Sequence, residues 1–559
     1  MSTSEAHQVR QVFQYLLLLG LVIVSAEGVA GLAGAVLGQD TALAASDTAI
    51  ARSVAFTVVG LPLLAGVGWW SRRTQAADPA ETRSPGWLLH LAGGLLVALL
   101  VAVTSLHVVV GWLVDLRPYD PFALARAFVW TATWAAYWWL VSRQRDRLLV
   151  QPHVLGGSLV GLVLMMIGWG SLFAAAMETW FGLDGGEVIA SRSSAPILQG
   201  SITLLLGALT WAVHWWVRAR TSPATLLWLA YVLLAGVAAS LVVALVAGSL
   251  ALYRAAVWLV GDPWSDADVF FEPMPETLAA AVTGLVSLAY HHGVLRSAAR
   301  PERTEVDRVR DYLLAAIGLG AATAGTTIVV VALVEAIADP DVIAGGGAGN
   351  TVLAALTLLG VGGPVWWLHW RRGQRASATP DRLELRSPTR RLYLALLLGV
   401  ATLAAVVALL AGAWVLVDRM LQDEDGLEVL RGIRFPLGIL FTSGAVAAYH
   451  WSVWLRGRDA TPERTGLRFV LLLGVADAAT ADEVRRTTGA VAWAWARTDG
   501  VERAWPREEV LAALAATTAP EVVVLADGDR LQVLPIERRP VRAAPALASG
   551  DPAAAPGRG

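Results

Sequence analysis

The 559-residue chain is 56% apolar and only 16% charged, with a mean hydropathy of +0.56, far outside the range of soluble globular proteins. It contains no cysteine, and all 43 basic residues are arginine, so disulfides, thiolate metal sites, cysteine nucleophiles, lysine Schiff bases and a P-loop lysine are excluded. A net charge of -2 argues against a nucleic-acid binder, which needs a basic face to displace counterions from phosphates.

After a short polar segment, residues 1–11, twelve apolar runs follow: 12–37, 54–70, 87–114, 123–141, 154–177, 197–217, 226–251, 278–295, 312–334, 352–370, 392–417 and 435–455. Each is near the roughly 20 residues needed to cross a hydrocarbon layer of about 30 Å, and in lipid such runs must be helical. The expected fold class is therefore an all-α polytopic membrane protein of about twelve transmembrane helices. The runs pair into six hairpins, 12–86, 87–152, 153–223, 224–311, 312–391 and 392–465. The first member of each pair is the longer, which implies tilt or projection beyond the bilayer. The first run is too long for a signal-peptide core and has no persuasive cleavage site, so it reads as an uncleaved span.

The second run of most pairs ends in an aromatic or histidine cluster followed by arginine: Tyr137-Trp138-Trp139, His214-Trp215-Trp216, Tyr290-His291-His292, Leu368-His369-Trp370 and Tyr449-His450-Trp451. Their central residues recur at intervals of 76 to 81 residues, the mark of a repeated unit. Loops after the even-numbered runs hold 23 arginines, whereas the opposite loops hold far fewer and carry acids such as Asp262, Asp266, Asp268, Asp423, Glu424 and Asp425. The excess of basic residues on one side places both termini in the cytoplasm.

Beyond Arg464 the composition changes. Strand-like 467–475, 490–496, 521–526 and 530–536 alternate with helix-like 481–488 and 507–517, and Asp527-Gly528 signals a hairpin. Residues 466–537 thus read as a small cytoplasmic α/β (α+β) domain, followed by a disordered tail at 538–559 rich in proline, alanine, glycine and arginine.

The sequence Gly362-Gly363-Pro364-Val365-Trp366-Trp367-Leu368-His369-Trp370-Arg371-Arg372 resembles the repeat of a bacterial membrane family, DUF5671, a domain of unknown function. Val58-Val59-Gly60-Leu61-Pro62 upstream of Trp69-Trp70-Ser71-Arg72-Arg73 is similar, with a proline-to-tryptophan distance longer by two. The starts of odd-numbered runs also match one another, at Val9–Tyr15, Val309–Tyr312 and Arg390–Tyr393. The second and third hairpins lack the glycine-proline step. The resemblance covers roughly residues 9 to 458 as several tandem copies and implies a bacterial membrane protein without implying an activity.

Within this frame few residues carry chemistry. Trp138, Trp139, His214, Trp215, His291, His292, His369, Trp370, His450 and Trp451 share one depth and read as interfacial anchors, with apolar bodies and polar tips. Histidines facing across a bundle would instead ligate haem, the redox alternative. Glu27 lies well inside the first run, where a carboxylate must stay neutral or find a partner; the reading preferred is a protonated side chain bonded to a serine or threonine of a neighbouring helix, and the alternative is an ion or proton pathway. Pro62 and Pro364 are helix-kink candidates. The acidic, aromatic loop around Asp262, Asp266 and Asp268 reads as solvated or membrane-skimming, and Gly345–Gly349 as a flexible turn. No catalytic residues, metal ligands or cofactor are assigned, and the chain reads as a non-enzyme. The expected function is a structural or signal-coupling membrane platform, with membrane lipids as surroundings and a cytoplasmic protein partner for residues 466–537. The alternative is a transporter or channel that uses Glu27 and the proline-bearing helices.

Overall fold

Lipid offers no partner to a backbone amide, and the long apolar runs close their hydrogen bonds internally as helices in a computed structural model of the chain. The structure describes residues 3–39, 46–143, 147–181, 194–297, 303–338, 347–379, 383–458, 467–474, 478–496, 506–527 and 530–536. The expected tail at 538–559 and the first two residues of the glycine run at 345–349 lie outside them; Gly347 to Gly349 begin a helix rather than forming a turn.

The helices are α1 (Thr3–Leu37), α2 (Asp47–Ala77), α3 (Pro85–Leu113), α4 (Pro121–Ser142), α5 (Arg147–Phe181), α6 (Ser194–Trp211), α7 (Leu226–Ala230), α8 (Ser240–Val260), α9 (Ala267–Phe271), α10 (Met274–Ser297), α11 (Glu305–Ala338), α12 (Gly347–Ser377), α13 (Leu383–Arg386), α14 (Pro388–Leu421), α15 (Gly426–Gly432) and α16 (Arg434–Arg458). Ten helices among the described residues are long and apolar enough to cross a membrane, and the pair α15–α16, bent by 55°, raises this to eleven. The chain is a multi-pass membrane protein. The expected run 123–141 is helical as α4, which contains Arg126 and is not among the ten.

Starts follow local chemistry. Ser84-Pro85 and Asp120-Pro121 place a capping side chain before a proline whose missing N–H would have been unpaired anyway. The Ser84 hydroxyl accepts from the Trp87 amide (3.3 Å), and the Asp120 carboxylate accepts from those of Phe122 (2.9 Å) and Ala123 (3.0 Å).

Two irregularities have no counterpart in the pattern of apolar runs. Ala212–Ala219 and Tyr231–Ala239 are π-helical, the first continuing α6 and the second joining α7 to α8. Pro62 and Pro364, expected to kink their helices, lie inside helices α2 and α12 that run on without a break.

The described residues divide into two units, Met1–Ala376 with Ala395–Ala447, and Ser377–Leu394 with Ala448–Gly559. In the first unit, α5 and α6 pack backbone to backbone because glycines meet across the seam: a methyl on Gly161 would strike the Trp211 amide, on Gly168 that of Leu204, on Gly207 that of Met165, and on Gly200 that of Leu172 at 2.8 Å. The acids of the loop, Asp262, Asp266 and Asp268, are exposed, in line with the solvated reading, while its backbone and the Phe270 ring are tied down. Arg254 donates to the Phe270 carbonyl at 2.5 Å and lies over the rings of Trp264 and Phe270, and Asn350 clips the Asp262 backbone at 2.8 and 3.1 Å.

The second unit contains a four-stranded sheet, β1 (Phe469–Leu473), β2 (Val491–Trp495), β3 (Glu521–Asp527) and β4 (Arg530–Pro535), in the order β2-β1-β3-β4. β1 pairs in parallel with β2 and β3, while β3 and β4 are antiparallel, as a hairpin at Asp527-Gly528 requires. Helices α17 (Ala478–Thr488) and α18 (Arg507–Ala515) supply Ala481, Val484, Val510 and Leu514 to a core with Val470, Leu472, Ala492, Val522 and Val524.

Candidate functional site

Glu27 sits on α1 in the sequence Ser25-Ala26-Glu27-Gly28. Its carboxylate is neither left alone nor bonded to a hydroxyl, in contrast to the expected protonated side chain on serine or threonine. Oε2 accepts from Arg126 Nη2 at 2.7 Å and Nε at 3.1 Å, and Oε1 accepts from Trp130 Nε1 at 3.0 Å. Arg126 and Trp130 are four residues apart on α4, so one helix face presents both donors. Two N–H groups of one guanidinium on one oxygen and an indole N–H on the other fix the carboxylate's position and balance its charge. A search for intramembrane acids alone overlooks Arg126; a single arginine in an otherwise apolar run is the signal that points to it.

Small residues bring the partners together. Gly28 faces Thr57, where an added methyl would lie 2.7 Å from the hydroxyl, and Gly31 and Gly34 lie against Ser53 and the Phe122 ring. This glycine row on α1 lets α2 and α4 approach closely enough for the pair to form. Beside it opens a cavity of about 590 Å³ lined by Glu27, Arg52, Ser53, Phe56, Phe122 and Arg126, among others. A second pair joins Glu335 on α11 to Arg434 on α16 at 2.8 Å. In both cases the acid comes from the first helix of a group and the arginine from the last long one.

The aromatic-histidine clusters split into inward and outward members. His214, His291 and His450 are at most 2% exposed, as are Trp215 and Trp370, so these five face protein rather than headgroups, contrary to the anchor expectation. Around Trp215 the rings pack as an aromatic layer: Trp215 lies 6.3 Å from Trp211, 6.0 Å from Trp228 and 5.0 Å from Tyr231, and donates to the Tyr290 hydroxyl at 2.8 Å. The Nδ1–H groups of His214 and His291 donate to carbonyls one turn back, at 2.8 and 2.9 Å. Trp138 lies edge-on to His153 and His214, and His292 is half-buried. Trp139 and Trp451 do face outward. Trp69, Trp139, Trp216 and Trp367 each carry an arginine four residues on, with Arg143 3.6 Å from the Trp139 ring centre and Arg73, Arg220 and Arg371 between 5.4 and 5.8 Å from theirs. This Trp-x-x-x-Arg spacing is the better description of the outward motif.

His369 belongs to a charged cluster instead. Its Nδ1 lies 3.2 Å from the carboxylate of Asp311, which is 1% exposed and also meets Arg303 at 3.0 Å, Arg310 at 3.3 Å and Arg372 at 3.6 Å. In the equivalent place on α1, Gln14 donates to the Ser71 hydroxyl at 3.0 Å. Among the described residues no group of three or more His, Asp or Glu side chains stands at metal-binding distance.

A repeat invisible to hydropathy appears at two loops. Glu81-Thr82-Arg83-Ser84-Pro85 and Glu384-Leu385-Arg386-Ser387-Pro388 share Glu-x-Arg-Ser-Pro, with both glutamates 1% exposed and both serines capping the next helix. Glu81 meets Arg10 at 3.5 Å.

These correspondences relate α1–α4 to α11, α12, α14 and α16, two groups of four long helices. The family model of DUF5671, a domain of unknown function, matches residues 11–140 and 308–445, the same two groups. The two matches are consistent with a family of repeated copies. Each DUF5671 copy spans two hairpins, so the matched unit is a four-helix group and not a single hairpin. The second hairpin lies within it despite lacking the glycine-proline step, whereas the third and fourth lie outside. No curated protein and no solved structure matches the chain.

Proposed function

We propose that the protein is a membrane platform in which two DUF5671 domains flank a central group of helices and hold a C-terminal α/β domain at the cytoplasmic face of a bacterial inner membrane. In this reading the membrane is crossed twelve times as six hairpins, with α4 as one crossing and both termini on the arginine-rich side. The observation that carries it is the state of Glu27. A carboxylate engaged by Arg126 and Trp130 is held as a clamp between α1 and α4, which suits a rigid scaffold better than a proton relay, whose acids must exchange protons. The chain is not read as an enzyme, and its C-terminal domain is the part that engages a cytoplasmic protein.

The cavity beside Glu27 and Arg52 favours a second reading, a transporter or channel with its pathway there. Reconstitution in proteoliposomes separates the two. The platform reading expects no ion or solute flux that depends on Glu27, together with a cytoplasmic protein that crosslinks to the full chain in cells and is lost from a chain ending at Arg458. A substrate-stimulated flux abolished by Glu27→Gln, in protein that still elutes as a folded species, establishes the second reading instead.

A further inference from the structure

The sheet of the C-terminal domain is covered on one side. α17 and α18 pack on the side of Val470, Leu472, Ala492, Val522 and Val524, and strand alternation sends Val491, Trp493 and Trp495 to the other. There Trp493 and Trp495 are 53% and 56% exposed, with Phe469 and Arg468 beside them in a shallow depression. β2 is also an edge strand. Exposed apolar residues on a sheet edge invite association, so a face of this kind calls for a partner.

We propose that this aromatic face docks on the lipid headgroup layer beside the last membrane helix. The tether argues for that occupant: only residues 459–466 separate Arg458, the end of α16, from Leu467, a distance of at most about 30 Å when fully extended. A domain held so closely meets the bilayer at high effective concentration, and even a weak affinity keeps it there. The chemistry fits as well. Indole carries an apolar body and an N–H, and it collects at the headgroup level. The chain already pairs outward tryptophans with arginine at its membrane helix ends, as in Trp139 with Arg143, and the sheet face repeats that pairing of types with Trp493, Trp495 and Arg468. The inference rests on the platform reading insofar as it needs the domain beside a bilayer.

Because the chain has no cysteine, one introduced cysteine is labelled alone. Full-length Val491→Cys carries an environment-sensitive fluorophore in nanodiscs of phosphatidylcholine and phosphatidylglycerol, some lipids bearing a spin-label quencher near the headgroup. Glu508→Cys, exposed on α18, is the control. Docking gives quenching roughly twofold or more stronger at 491 than at 508, and adding Trp493→Ser with Trp495→Ser removes the difference. Quenching of the 491 label by aqueous iodide as complete as at 508 overturns the proposal. Protection of 491 from both quenchers also overturns it, assigning the face to protein, whether a second copy or a cytoplasmic partner. The measurement with both tryptophans in place decides the matter even where the double variant fails to fold. Neither adverse result alters the flux or crosslinking outcomes, so failure here is separable from failure of the platform reading.

Discussion

Glu27 shows what one residue in lipid requires. An acid there is expensive unless a donor set meets it, and the chain meets it with a guanidinium and an indole from a single helix face. Both side chains remain part-exposed at the cavity, 29% for Glu27 and 49% for Arg126, so the pair is worth less than a fully buried one. Glu27→Gln and Arg126→Gln should each lower unfolding stability in detergent by about 1–3 kcal/mol, and the double variant by less than their sum, leaving a coupling of about 1 kcal/mol. Strict additivity in that cycle would remove the clamp. Trp130→Phe keeps the ring and loses one donor, for an expected cost of about 1 kcal/mol in the same thermal assay.

At the scale of elements, the packing of glycines decides more than the prolines do. The α5–α6 seam leaves no room for a side chain at Gly168, so Gly168→Leu must push the helices apart, at about 1–3 kcal/mol or more. At Gly360 on α12 an added methyl would meet nothing within 4 Å, and Gly360→Ala should be neutral or stabilising by up to about 1 kcal/mol. Comparable losses at the two positions would mean that the seam is not tight. Pro364→Ala should likewise leave thermal stability almost unchanged, because α12 already runs through that residue; a large loss would mean that the proline itself supports the packing of α12. The π-helical segments around His214 and Tyr231 sit where bulky rings crowd one layer, an arrangement that no period in the sequence announces.

Across the whole molecule, the proposed orientation makes a direct claim about sides. Single cysteines at Asp266→Cys and Ala378→Cys, both exposed, should be modified from opposite faces of sealed vesicles by a membrane-impermeant maleimide. Modification of both from the same face would end the twelve-crossing arrangement. The helices and the strands of the C-terminal sheet were legible from the chain alone, since run length, cap residues and period-two alternation are local consequences of backbone hydrogen bonding and burial. The family was legible for the same reason, from glycine, proline, tryptophan and arginine in fixed order. Which ring of each cluster turns inward, why Glu27 meets Arg126 across 99 residues of chain, and which face of the sheet stays bare are set by contacts between distant segments. Spacing assigns a residue to a helix face, and only the packing of one helix on another decides what that face meets.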